Sequence, residues 1–272
     1  MRLVPADSLD LGALTEVFNE AYSDYVVPLR LDRSALEFTL AVCDVDLAAS
    51  RVALEEQTPV AFAFLAVRGG EGWIGGMGTV PTQRRRGLGE AALSAVLGEA
   101  RIRGAQAVRL EVIDGNEAAR RLYEKLGFER VRALGVWALD SAPPRTTKAE
   151  PADVERAHAW IRSNRRAPEP WQRADETVEH MRARGAALEA LVVGPGAETT
   201  GALLYQPGPP LPRIVQLAAH DERSAAHLLA AVAARGDGLR FVNVPEGDPA
   251  ETALTGLRAR VEARQQEMRI TL

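Results

Sequence analysis

The sequence predicts a mixed α/β protein built from two similar domains, and three observations carry that expectation. The chain has 272 residues, nearly twice the length of a domain of about 150. Stretches of helical and of strand periodicity alternate along it. The order of those stretches returns after about 130 residues, the mark of a tandem repeat.

Taken in order, the first helix is expected over 9–21, with Leu11, Leu14, Val17, Phe18 and Ala21 at helical spacing and Ser8 as N-cap. A second helix follows Asp32, with Leu36, Leu40 and Cys43 on one side. Strands are expected over 51–55, 59–67 and 73–80, parted by a turn at Glu56-Gln57-Thr58 and a glycine-rich stretch at 69–72. Next come a helix over 87–103, a strand over 107–113, a helix over 117–126 and a strand over 130–139. The repeat reads as helices over 153–162 and 174–184, then strands over 188–193, 201–205 and 213–219. It closes with helix 222–234, strand 239–244, helix 249–264 and strand 268–272. The run DSAPPRTTKAEP at 140–151 has paired prolines and no periodicity, so it reads as a linker. The expected domains are 1–140 and 152–272, joined by 141–151.

Composition narrows the function classes. The chain is 46% hydrophobic and 26% charged, which excludes disorder, collagen and coiled coil for its bulk. No apolar run approaches the ~20 residues that span a bilayer. The opening MRLVPADSLDLG lacks the basic-then-apolar order of a signal peptide, so a cytoplasmic protein is expected. Cys43 stands alone, which removes disulfides and cysteine metal sites. Residues 1–140 hold 16 basic and 20 acidic side chains and 141–272 hold 17 of each, so no nucleic-acid partner is expected. All four histidines lie in the second half. His220-Asp221-Glu222 and His227 lack the H-E-x-x-H spacing, and no metal is expected there.

Two stretches carry chemistry. In GGMGTVPTQRRRGLGEAAL, residues 75–93, a strand ends at Val80-Pro81, arginines follow, and Gly87-Leu88-Gly89 opens a helix. Helix N-terminal amides are unpaired and sit at the positive end of the dipole. Glycines let a diphosphate approach them, and Arg84, Arg85 and Arg86 add charge, so the stretch describes a phosphate cradle. Two other readings stay open here. Arginine runs are often only solvated, and Gly87, Gly89 and Ala92 also spell the dinucleotide fingerprint of a nicotinamide oxidoreductase. That fingerprint belongs directly after a first strand, whereas here six residues intervene and two helices precede. In LEVIDGNEAARRLYEKLGF, residues 110–128, Asn116, Ala119 and Tyr123 share one helical face, and Gly127 reads as a C-cap against which Phe128 packs.

Together these stretches resemble the GNAT superfamily of N-acetyltransferases. The acyl-CoA signature Q/R-x-x-G-x-G/A matches Arg84–Gly89, and the later signature matches Asn116, Ala119, Tyr123 and Gly127-Phe128. The resemblance covers the first half. The second half looks like a degenerate copy, since Ala219–Glu222 has neither glycine nor arginine cluster and 248–257 has no tyrosine. The resemblance implies two GNAT-like domains, each a mixed, mostly antiparallel sheet flanked by helices. It also implies acetyl-CoA as cofactor and a primary amine of a small molecule or peptide as acceptor. The diphosphate would be held by Arg84, Arg85, Arg86, Gly87, Leu88, Gly89 and Glu90, and the pantetheine arm would pair with Met77, Gly78 and Thr79 between two splayed strands. Asn116 and Tyr123 would line the cofactor, with Tyr123 as general acid. Glu111 resembles the glutamate proposed as base in ribosomal-protein alanine acetyltransferases. Tyr22, Asp24, Tyr25 and Trp137 are the expected acceptor-pocket residues, an acid among aromatics suiting a cation. The resemblance further implies a monomer with an internal pseudo-dimer, or a homodimer. A non-catalytic acyl-CoA sensor is the alternative from another class.

Overall fold

The computed structural model describes residues 1–25, 29–143, 147–194 and 196–272. It divides into two compact units, Met1–Val131 with Gln266–Leu272, and Arg132–Gln265.

In unit 1 the chain runs β1 (Arg2–Pro5), α1 (Leu11–Ala21), α2 (Arg33–Val42), β2 (Arg51–Glu55), β3 (Thr58–Arg68), β4 (Glu71–Thr79), α3 (Leu88–Ile102), β5 (Ala107–Ile113) and α4 (Glu117–Lys125). Strand order is β1-β2-β3-β4-β5, followed by the last residues of β12 (Arg260–Thr271). Pairing is antiparallel from β1 to β4 and parallel between β4 and β5. The Leu272 amide donates to Gln106 O at 2.8 Å and Gln266 Nε2 donates to Asp114 Oδ1 at 2.9 Å, so β12 runs antiparallel to β5.

Each helix is set by its own sequence. Asp10, not Ser8, caps α1, its Oδ1 accepting from the Ala13 amide at 3.0 Å, while Ser8 Oγ turns back to Pro5 O. Asp32 caps α2 through Ala35. Leu93 and Val96 of α3 are fully buried on one face of the sheet with Leu110 and Val112 of β5. Truncating such a leucine to alanine costs about 2–5 kcal/mol. Leu14, Val17 and Phe18 of α1 pack on the other face with Leu36, Phe62 and Phe64. The strand β1 was not anticipated, because four residues broken by Pro5 carry no periodic signal.

Unit 2 contains β6 (Glu129–Leu139, from Arg132), β7 (Ala149–Ala152), α5 (Val154–Asn164), α6 (Asp175–Ala183), β8 (Glu189–Val193), β9 (Gly201–Gln206), β10 (Arg213–Ala219), α7 (Glu222–Gly236), β11 (Leu239–Pro245) and α8 (Pro249–Gly256). Its strand order is β6-β11-β10-β9-β8-β7. The units do not part at 141–151, three residues of which, 144–146, lie outside the described residues. β6 pairs antiparallel with β11, Leu139 opposite Leu239, and so belongs to unit 2, while the chain's last residues complete unit 1. The helix expected over 249–264 stops at Gly256, where Arg258 turns left-handed at φ 61° and the chain becomes β12. Among the described residues no helix is long and apolar enough to cross a membrane.

Candidate active site

The site grows from a break in the unit 1 sheet. β4 and β5 are in register only at Glu71–Ala107, Gly72–Val108 and Trp73–Arg109. Beyond Trp73 the two strands part. The cause lies in β4, where Gly76 opposes Phe64 and Ile74 opposes Leu65, leaving Gly75 as a bulge that bends the strand. The Val80 amide donates to Val60 O at 2.9 Å. Alternation then directs Gly78 toward β3, and Met77 and Thr79 turn their amides and carbonyls into the gap.

Small residues set what borders this edge. A Cβ on Gly78 would lie 2.8 Å from Ala21 Cβ, so the glycine lets α1 sit on β4. On the opposite face, a Cβ on Gly89 would lie 3.3 Å from Thr79 Oγ1 and 3.5 Å from Met77 Cε. The start of α3 is thus pressed against the open edge of β4.

Of the four α-helices among the described residues of unit 1, α3 alone begins without a side-chain cap; α4 is capped by Asn116, whose Oδ1 accepts from the Ala119 amide at 3.2 Å. Gly87 is left-handed at φ 77° with nothing within 4 Å of where a Cβ would stand. The first-turn amides at Leu88, Gly89 and Glu90 thus have no side-chain cap and sit at the positive end of the helix. Arg85 beside them is exposed. These features fit a diphosphate.

Two of the three expected arginines are engaged elsewhere. Both Arg84 terminal nitrogens grip the Asp24 carboxylate at 2.7 Å, while Nε donates to Thr79 O at 3.2 Å and Nη2 to Ala21 O at 3.1 Å. Arg84 is a strap between the end of α1 and the end of β4. Its hydrogen bonds hold the Asp24 carboxyl below the usual carboxylate range. Arg86 pairs with Glu55 at 2.7 Å. The Glu90 carboxylate binds Lys125 Nζ at 2.6 Å.

Tyr123 of α4 is 6% exposed, its ring 5.9 Å from Phe128. Gly127 at φ 96° ends the helix and returns Phe128, whose amide donates to Tyr123 O at 3.0 Å. Burial raises the Tyr123 phenol above its ordinary range, and the neighbouring Tyr22, Tyr25 and Glu111 act in the same direction. Tyr22 reaches in from the end of α1 and donates through its hydroxyl to Met77 O at 3.1 Å; it too is raised by burial. Tyr25 stands edge-on to it at 5.0 Å. Glu111 accepts from Trp73 Nε1 at 3.0 Å. The structure therefore brings Tyr22, Tyr25, Glu111 and Tyr123 together beside Met77. It places Trp137 on β6 in the core of unit 2, 4% exposed and opposite Phe241. Trp73 and Gly75 went unremarked in the sequence. A large ring two positions before a strand glycine was the available signal.

Residues 13–128 match the profile of the Acetyltransferase (GNAT) family. This segment is similar to a GNAT domain. Two solved structures extend the likeness to the whole chain. The GCN5-related N-acetyltransferase of Sphaerobacter thermophilus superposes with a TM-score of 0.74 at 17% identity, covering 98% of this chain and 93% of its own. A tandem GNAT protein from the clavulanic acid biosynthesis pathway, in a structure without acetyl-CoA, gives 0.70 at 15% identity, covering 99% and 98%. At such identities the likeness is one of fold. No curated protein matches the chain.

Unit 2 keeps the parted strands but fills them. β10 and β11 are parallel at Arg213–Arg240 and Ile214–Phe241. Just past that point Arg173 Nη1 donates to Val242 O at 3.1 Å and Asn243 O at 3.0 Å, its guanidinium 4.4 Å over the Phe241 ring. Its own carbonyl accepts from Gln216 of β10 at 2.5 Å. The Asp221 carboxylate caps α7 through the Ser224 amide at 2.7 Å, the position that the GNAT domain leaves open.

Proposed function

We propose that unit 1 transfers an acetyl group from acetyl-CoA to a primary amine of a small molecule or peptide. The observation that carries this reading is the open edge of β4 pressed against the uncapped start of α3. The amides of Leu88, Gly89 and Glu90 would hold the diphosphate, with Arg85 adding charge. Those of Met77 and Thr79 would hold the pantetheine arm and donate to the carbonyl oxygen as it gains charge. Acetyl-CoA would supply the activated thioester.

The remaining chemistry falls to side chains of this chain. An amine is mostly protonated at neutral pH, and Glu111 would take its proton, directly or through water. Tyr123 keeps its proton throughout the working range, because burial disfavours the phenolate. It donates a hydrogen bond to the leaving sulfur as that atom becomes anionic. Tyr22 and Tyr25 present ring faces suited to an ammonium group. Asp24, the acid predicted beside these rings, is paired with Arg84 in this structure. Unit 2 takes no cofactor in this reading, because Asp221 and Arg173 occupy the corresponding amides and carbonyls.

An acceptor screen that reads free CoA thiol, run with acetyl-CoA and longer acyl-CoAs over aminoglycosides, polyamines, amino acids and peptides, tests the proposal. Thiol release that depends on an added amine supports it. Tight acetyl-CoA binding with no release across all amines overturns it in favour of a sensor.

A further inference from the structure

We propose that Trp73 is a positioning residue for Glu111, and that Gly75 exists to seat it. Trp73 lies on β4 at the last point where that strand pairs with β5, opposite Arg109. Parallel pairing and alternation put Trp73, Arg109 and Glu111 on one face of the sheet, at the mouth of the gap. The indole is 3% exposed and donates through Nε1 to Glu111 Oε2 at 3.0 Å. A Cβ on Gly75 would collide with three atoms of the Trp73 ring. The bulge residue thus does two things at once: it bends β4 away from β5, and it leaves room for the ring that orients the carboxylate standing in the opening.

A buried indole has one donor and no acceptor, so it selects the charged carboxylate and fixes its plane. Several charged and titratable groups among the described residues lie near Glu111. On the same face are Glu71, Arg109, Glu267 and Arg269, joined by Arg109 to Glu71 at 3.1 Å, Arg109 to Glu267 at 3.6 Å and Arg269 to Glu71 at 3.1 Å. From the helices come Tyr22, Tyr25 and Tyr123, all held neutral by burial. Glu71 and Glu267 are carboxyls of the same face, and substitution at Glu111 separates its contribution from theirs.

The test has a spectroscopic arm and a kinetic arm. Among the four tryptophans, the Trp73 indole N–H resonance in a 15N-labelled sample is the one lost in Trp73→Phe. In the native protein it should move with pH along a single carboxyl titration, and in Glu111→Gln it should stop moving. A Trp73 indole resonance that ignores pH in the native protein, or titrates unchanged in Glu111→Gln, overturns the proposal whether or not any amine is acetylated. The kinetic consequence rests on the acyltransfer reading. Trp73→Phe should keep acetyl-CoA affinity within about threefold, lower kcat about tenfold and displace the acid limb of the pH profile upward by about one pH unit. A Trp73→Phe enzyme with the native profile, beside an inactive Glu111→Gln, overturns the positioning role and leaves the acyltransfer reading standing.

Discussion

Substituting Gly87 separates the stability of the α3 start from its capacity to bind an anion. The residue sits at φ 77° with nothing within 4 Å of a Cβ. Alanine there meets no neighbour, so its cost is the left-handed backbone alone, about 1–2 kcal/mol and a few degrees in Tm. Glutamate carries the same backbone cost and adds a carboxylate in front of the Leu88, Gly89 and Glu90 amides. It competes for the N-terminal donors and repels a diphosphate. The expected loss of CoA affinity is at least about 100-fold, or roughly 2.7 kcal/mol. Isothermal titration of CoA into native, Gly87→Ala and Gly87→Glu protein, beside thermal melts of each, reads both effects. A Gly87→Glu protein that melts like Gly87→Ala and binds CoA like the native chain would refute the cradle.

Further outcomes follow from packing and protonation. Gly78→Val should lower stability by about 1–3 kcal/mol in urea unfolding, because even a Cβ would stand 2.8 Å from Ala21 Cβ and α1 must move. The same variant should disturb the Tyr22 hydroxyl on Met77, seen as weaker acetyl-CoA binding. For Tyr22, Tyr25 and Tyr123, burial raises the folded phenol above its unfolded value, so the unfolded chain releases protons first. Stability should therefore be untouched by these groups below about pH 10 and fall above it, and Tyr123→Phe should reduce that alkaline fall in pH-dependent urea unfolding.

Local signals in the chain located nearly every element of unit 1. Strand 107–113 coincides with β5, and the start of α3 follows from glycines that only a turn into a helix requires. What failed was non-local or depended on competing caps. Asp10 outcompetes Ser8 because it stands immediately before the first helical residue. The tail beyond Gly256 has charge spacing compatible with either helix or strand, and only its partners decide that 260–271 is extended. That β6 pairs with β11 and the last residues with unit 1 is a choice among sheet edges, which short-range patterning cannot express.

The site divides the same way. The helix start at Gly87 and Gly89 and the helix that carries Tyr123 were legible because their signals lie in their own neighbourhood. The pairing of Arg84 with Asp24 could not be read locally, because the partners lie 60 residues apart and the bidentate grip forms only when α1 packs on β4. Trp73 and Glu111 are 38 residues apart and meet across the last paired position before the strands part. Trp137 read as an aromatic pocket residue, yet its strand belongs to unit 2, whose core buries it.

In the proposed amine-dependent acetyl transfer, a buried, protonated Tyr123 would serve the leaving sulfur. Turnover of Tyr123→Phe at saturating acetyl-CoA, with the amine found by the acceptor screen, tests it most directly. The expected result is native acetyl-CoA affinity and a fall in kcat of roughly 100- to 10,000-fold. Native turnover by Tyr123→Phe would contradict it.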